Sequence, residues 1–290
     1  MDTQYTFSQI TDGFQVSNDI KPRRVAPVIK WSGSKRSQAS FIVDLLPKEY
    51  GSYYEPFIGS GAVLYAAKPP RAMAGDVCIP LIALWKTIQT EPEKLIEHYT
   101  TYWHKLKNDG YLVFYEVRDR FNQDQNPYDL FFLSRTCVNG LIRFNGKGEF
   151  NNSLHHTRRG IEPAKIAEII REWGAALSHV DFRTGDYRDT TSDAVSGDLI
   201  YLDPPYFNTK GRYYGRIDYT EFLDYLDSLN RRNILFVLSY DGKRGDINYK
   251  TPLPSSLYKR KFFVKSGNSP FRKVMDKEAE MVEEALYLNW

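Results

Sequence analysis

The chain has 290 residues, enough for one large domain or for a core domain that carries a smaller one. Hydrophobic residues make up 42% and charged residues 26%, which excludes a mostly disordered chain, a collagen-like chain and a coiled coil. No run approaches the roughly 18 apolar residues of a membrane span, the start lacks a basic segment followed by an apolar one, and Cys78 and Cys137 are too few for a disulfide framework or a cysteine-rich zinc site. A reduced, soluble, cytoplasmic protein is expected.

Net charge is only +3, but it is segregated along the chain. Residues 21–36 hold Lys21, Arg23, Arg24, Lys30, Lys35 and Arg36 with no acid, and residues 243–273 hold nine Lys or Arg against Asp246 alone. Blocks of this kind suit a polyanion, because every neutralised phosphate releases condensed counterions. Solvated surface lysines account for such blocks equally well when nothing else points to DNA. Aromatic residues, at 15%, suit base stacking or an aromatic-rich core.

In chain order, residues 1–20 are polar and without periodicity, and read as an extension. Residues 52–57 read as a strand ending at a glycine-rich turn, 62–68 as the helix after it, and 71–76 as a second strand ending on Asp76. Residues 90–178 are mostly helical, interrupted by the irregular Gly/Asn-rich stretch 137–160. Strands return at 179–186, 198–206 and 233–242. A helix over 220–230 gathers Phe222, Leu223, Leu226 and Leu229 on one face, with Thr220 as its cap. Strand–helix alternation of this kind predicts an α/β fold with a largely parallel sheet. The expected division is a catalytic domain over 21–89 and 179–290, with 90–178 inserted between its second and third strands.

Two segments carry chemistry. The turn Phe57-Ile58-Gly59-Ser60-Gly61 joins a strand to a helix, and its glycines permit close backbone approach by a ligand. Asp76 follows Gly59 at about the spacing where an acid meets ribose hydroxyls. The third glycine of a dinucleotide fingerprint is missing, since position 64 is Leu, and a generic strand–turn–helix junction explains the turn nearly as well. Asp203-Pro204-Pro205-Tyr206 is sharper, because it ends an apolar strand at the edge where open α/β sheets bind ligands. The amino group of a nucleobase is a poor nucleophile, its lone pair being delocalised into the ring. A carboxylate (Asp203) and a rigidly held carbonyl (Pro204) can each accept one of its N–H groups, while Tyr206 offers a face for an extruded base.

Together with Lys30-Trp31-Ser32-Gly33-Ser34-Lys35 and Asn139-Gly140-Leu141-Ile142-Arg143-Phe144-Asn145, with Gly148-Glu149-Phe150-Asn151 after it, these segments give a chain that resembles the Dam-like adenine-specific DNA methyltransferases (D12 class, alpha group) over roughly residues 27–290. The resemblance implies a Rossmann-like, S-adenosylmethionine-dependent methyltransferase sheet with an inserted, mostly helical DNA-recognition domain. It further implies site-specific methylation of adenine N6 in duplex DNA by base flipping, with no metal. Trp31, Lys35, Phe57, Gly59, Gly61, Asp76, Asp186, Tyr187 and Asp203 match cofactor positions, and Asp203, Pro204, Pro205 and Tyr206 match the catalytic ones. Asn139, Arg143, Asn145, Asn151, Arg158 and Arg159 fall to DNA contacts, although turn chemistry beside Gly140 and Gly146 explains Asn139 and Asn145 equally well. Lys259 and Arg260, from the second basic block, are assigned to the DNA channel. Val138 stands where relatives often carry an aromatic residue, which leaves Phe144 as a candidate support for the displaced base. The loop after Tyr206, residues 207–219, reads as a flap.

The alternatives are an amino-methyltransferase acting on cytosine or RNA, and a non-catalytic DNA-binding relative. A cognate restriction endonuclease is an expected partner, no membrane is, and the chain is expected to be a monomer or weak dimer.

Overall fold

The computed structural model describes residues 26–157, 159–205, 217–244, 247–248, 253–266 and 282–290. Tyr206, Arg158, most of the proposed flap (207–216) and the N-terminal extension lie outside them, as do parts of the second basic block. Strands β1 (Tyr53–Glu55) and β4 (Leu199–Leu202) are buried on both faces, as the centre of a parallel sheet covered on both sides requires. Around them lie β2 (Ala72–Asp76), β3 (Val180–Thr184), β5 (Leu235–Arg244), the short β6 (Ile247–Asn248), β7 (Arg260–Ser266) and β8 (Val282–Leu288). The sheet order is β3-β2-β1-β4-β5-β8-β7, with β6 paired to β5 alone. The first five strands are parallel, and β8 runs antiparallel to both β5 and β7. This is the mixed α/β sheet that the resemblance implies. Sequence reading supplied the parallel strands but not β7 and β8.

Alternation along the strands divides the core in two. Tyr53, Leu199, Tyr201 and Val237 point into one apolar cluster; Tyr54, Ile200, Leu202, Phe236 and Leu238 point into the other. The second cluster is closed by helix α9 (Tyr219–Arg231), whose buried stripe is Phe222, Tyr225, Leu226 and Leu229. Each of its fully buried Leu or Phe side chains contributes about 1.5–3 kcal/mol. The cap of this helix is Asp218, not Thr220 as expected: the Asp218 carboxylate accepts the Thr220 and Glu221 N–H groups. Asp outranks Thr in that role, and Thr220 already has helical neighbours on both sides.

The first cluster is covered by helices α1 (Ala39–Asp44) and α2 (Ala62–Ala67), and by five helices between β2 and β3. These are α3 (Ile79–Thr90), α4 (Pro92–Asn108), α5 (Leu112–Asp124), α6 (Pro127–Thr136) and α7 (Pro163–Ala176). Proline at the start of α3, α4, α6 and α7 pre-sets the first turn, where its missing N–H has no partner to lose. Trp85 of α3 joins the layers, stacking on Phe182 of β3 at 5.8 Å and meeting Trp173 of α7 at 5.7 Å. Within the helices the fully buried Asp129 is held by Arg120 at 2.6 and 2.5 Å and by His98 at 3.0 Å. Among the described residues no helix is long and apolar enough to cross a membrane.

Chain order reverses between β1 and β4. The carboxyl ends of these two strands therefore diverge into a crevice, the place where an open α/β sheet takes its ligand.

Candidate active site

The crevice is floored by the turn that leaves β1. Ile58 N–H donates to Gly75 O at 2.9 Å and Gly61 N–H to Ile58 O at 2.7 Å, with Gly59 and Gly61 at φ +45° and +63°. A side chain at Gly59 would stand 2.8 Å from the Trp31 ring, so the bare backbone lets that indole lie against the turn. From below, Trp85 Nε1–H donates to Gly59 O at 3.2 Å. Gly61 faces Trp85 and Trp173 rather than the opening, which makes it a packing position of the turn. A 2.7 Å hydrogen bond between the Ser34 and Ser60 hydroxyls ties segment 31–35 to the same turn.

Trp31, Lys35, Phe57, Gly59, Asp76, Asp186, Tyr187, Asp203, Pro204 and Pro205 all line this one cleft. Asp76 ends β2 and accepts the Cys78 N–H at 2.9 Å; burial pushes its carboxyl up to about 6, against three backbone N–H groups that pull it down. Asp186 caps α8 (Tyr187–Thr190), taking the Arg188 N–H at 3.0 Å and its Nε–H at 2.9 Å. Tyr187 packs on Phe57 at 5.6 Å, and its buried hydroxyl meets no hydrogen-bond partner among the described residues.

Asp203 leaves the end of β4 with Pro204 buried behind it. Lys35 Nζ lies 2.7 Å from Asp203 Oδ1, and burial pushes the Asp203 carboxyl up to about 6 while Lys35 draws it down. Two residues of this site are absent from the sequence reading. Glu55, at the end of β1, is buried, accepts the Tyr53 O–H at 2.8 Å and is pushed up to about 8 by burial. A charge closing an apolar strand was the signal for it. Glu284, on β8, stands 3.5 Å from Lys35, and nothing local in its sequence announces it.

The recognition candidates sit apart, on the loop after α6. A short 3-10 turn, Val138–Gly140, places the exposed Asn139 at φ +56° and presses Gly140 onto Lys30, where a Cβ would stand 2.2 Å from Cδ. Beyond it a small hairpin is closed by pairing of Phe144 with Phe150. Asn122 of α5 clamps that hairpin, donating to Phe150 O at 3.1 Å and accepting its N–H at 2.7 Å. Arg143, Asn151 and Arg159 are exposed, and Arg143 Nε–H donates to Asn151 Oδ1 at 3.0 Å. The Asn145 side chain is engaged in the turn, accepting the Lys147 and Glu149 N–H groups and donating to the Glu149 carboxylate. Phe144 is half-buried against Phe121 and Phe150, a core position and not a free stacking face.

Lys259 and Arg260 are not brought to the cleft. Arg260, on β7 three strands away from β4, pairs with Leu288, and Leu288 with Val237 near the start of β5. Its Nε–H donates to Trp290 O at 2.8 Å. Lys259 lines a separate hollow with Ile234, Leu235 and Trp290.

Residues 31–287 match the family model of D12 class N6 adenine-specific DNA methyltransferases. Among curated proteins the chain is similar to the type II methyltransferase M1.LlaDCHI of Lactococcus lactis subsp. cremoris, with 27% identity covering 80% of this chain and 84% of that one. The type II methyltransferase M.MjaIII of Methanocaldococcus jannaschii is 30% identical over 63% of this chain and 69% of its own. The DNA adenine methylase of Vibrio cholerae is 30% identical over 61% and 64%.

Proposed function

Because the chain belongs to the family of D12 class N6 adenine-specific DNA methyltransferases, we propose that its cleft is where an adenine turned out of duplex DNA receives a methyl group on N6. The protein is an adenine-specific DNA methyltransferase, and its family implies S-adenosylmethionine as the methyl donor. The observation that carries the reading is the convergence of Asp203-Pro204-Pro205, the turn 57–61, Asp76 and Asp186 on one crevice at the sheet's reversal point.

The side chains present fit such a donor. Phe57, Val77 and Tyr187 give apolar faces for a purine, and the Tyr187 hydroxyl is a buried polar group in want of a partner. Asp76 is the acceptor for ribose hydroxyls and Asp186 the polar group for the purine's amine, while Lys35 is a cation for a carboxylate. When bound, S-adenosylmethionine supplies a methyl group made electrophilic by a sulfonium.

The chain's own part is to prepare the amino group. N6 is hidden inside a base pair, so the base must leave the stack to be reached. Asp203 accepts one N–H and the Pro204 carbonyl the other, which draws the nitrogen toward a tetrahedral shape and frees its lone pair. Pro204 and Pro205 hold those acceptors in place, so little reorganisation is needed at the transition state. The raised proton affinity of Asp203 suits it to take the surplus proton afterwards. Arg143, Asn139, Asn151 and Arg159, exposed on one loop, are the side chains assigned to base and phosphate contacts, within a recognition unit spanning 90–178. Action on DNA carries with it an intracellular, DNA-associated location. Type II methyltransferases among the relatives support a restriction-modification setting, with a cognate endonuclease as partner of a methylase that is a monomer or weak dimer.

The test is transfer of label from S-adenosylmethionine to unmethylated duplex DNA, single-stranded DNA and RNA in parallel, with Asp203→Ala as control. Labelled N6-methyladenine from duplex DNA, lost in the variant, is the expected result. Label on cytosine or RNA, or none at all, overturns it.

A further inference from the structure

Carboxylates crowd one buried ammonium in this cleft. Lys35 Nζ lies 2.7 Å from Asp203 Oδ1, 3.5 Å from Glu284 Oε1 and 3.4 Å from Gly33 O, and Lys35 is only 6% exposed. Glu55 faces the same Asp203 from the end of β1. Glu284 arrives from a remote part of the chain, and reaches the cleft because β8 pairs with β5 beside β4.

The ion pair works against the reaction. Asp203 is to accept an amino N–H, and a carboxylate whose charge is shared with Lys35 is a weaker acceptor for it. Turning Asp203 away would cost the buried Lys35 its nearest carboxylate, which is strongly unfavourable unless another carboxylate takes its place. Glu284 removes the conflict, because it already stands within ion-pair reach of the same nitrogen. An approach of under an ångström would make that contact a normal charge-assisted hydrogen bond.

We propose that Glu284 is a positioning residue for methyl transfer: it takes over the Lys35 ammonium as Asp203 turns to the adenine amino group. The acceptor oxygen is thereby released while the buried charges stay paired. This rests on the reading of Asp203 as the amino-group acceptor. Among the described residues, the groups facing Asp203 are Lys35 from segment 31–38, Glu55 of β1, Tyr201 of β4 and Glu284 of β8. Lys35 favours the ionised carboxylate, and Glu284 disfavours it. Neutralising Glu284 therefore makes Asp203 the stronger acid.

The experiment uses the full chain, unmethylated duplex DNA of mixed sequence and labelled S-adenosylmethionine. Single-turnover rates against pH and equilibrium cofactor binding are compared for wild type, Glu284→Gln, Glu284→Asp and Asp203→Ala. Glu284→Gln is expected to slow transfer at least about ten-fold, with cofactor affinity within about three-fold of wild type. Its acid limb should move to lower pH, and Glu284→Asp should recover much of the rate. A Glu284→Gln rate close to wild type, beside an inactive Asp203→Ala, overturns the handover alone; an active Asp203→Ala overturns the reading beneath it. A structure of the wild-type chain with duplex DNA and S-adenosylhomocysteine tests the point even where Glu284→Gln does not fold. Lys35 nearer Glu284 than Asp203 is the expected arrangement, and Lys35 still on Asp203 overturns it.

Discussion

The Lys35 ammonium stands 2.7 Å from the Asp203 carboxylate, although the two residues are more than half the chain apart, Lys35 just before α1 and Asp203 at the end of β4. Burial pushes the Asp203 carboxyl up to about 6, and Lys35 is the cation that keeps it from rising further. Methyl transfer needs the ionised form as acceptor, so the wild-type rate should fall as pH drops through about 6. Lys35→Met removes the stabilising cation and should carry that limb to higher pH, the direction opposite to Glu284→Gln. Single-turnover rates at saturating cofactor measure it, and an unmoved limb would refute the electrostatic role.

Glu55 makes a separate prediction about stability. Burial holds its carboxyl up at about 8 against an ordinary 4.5, even though the Tyr53 hydroxyl donates to the ionised form. Between those values the folded protein keeps a proton that the unfolded chain releases. Stability attributable to this group is therefore full below the unfolded value and is lost as pH rises through the folded one. Glu55→Gln cannot ionise. Its melting temperature should vary less than wild type between about pH 5 and 8, and exceed wild type at the alkaline end. Thermal melts across that range decide it; parallel curves would show that Glu55 is ionised throughout.

How much of this was legible in the sequence depends on how local each feature is. Gly59, Asp76, Asp186 and Asp203 each sit where a strand gives way to a turn, so a short window contains both the element and its chemistry. Glu284 has no such window. It reaches Lys35 only through the pairing of β8 with β5, a long-range register that composition does not encode. The basic block at 259–261 shows the complementary limit. Its charge was plain, but its position depends on strand pairing, which sets Lys259 in a separate hollow with Ile234, Leu235 and Trp290 and not in the cleft. Asn145 shows a third limit, since an exposed polar side chain beside glycine serves a turn or a ligand with the same letters, and here it holds the hairpin.

Asp129 predicts the stability of the helical layer. It is fully buried in α6, accepts two hydrogen bonds from Arg120 and one from His98, and Arg120 also donates to the Tyr102 hydroxyl at 2.8 Å. Arg120→Ala leaves that carboxylate with one partner in the interior. The expected loss is about 3 kcal/mol, the lower end for a broken buried pair, because Arg120 itself keeps partial access to water. Urea unfolding measures it, and a loss under about 1 kcal/mol would mean that His98 and relaxation suffice.

Arg143 bears on sequence recognition. Its guanidinium is exposed and is oriented by Asn151 on a hairpin that Asn122 holds rigidly to α5. A rigid mount suits base reading, because a bidentate contact to guanine tolerates little play. If Arg143 reads a base, Arg143→Ala should cost about 1–3 kcal/mol at the recognised sequence while non-specific binding and its salt dependence barely change. If it meets a phosphate, affinity should fall alike for all sequences and the salt slope by about one. Titrations at several salt concentrations, on the methylated sequence identified by sequencing and on an unrelated duplex, separate the two. Asn122→Ala should blunt the preference in the same direction with Arg143 still present, since what it removes is the mount and not the contact.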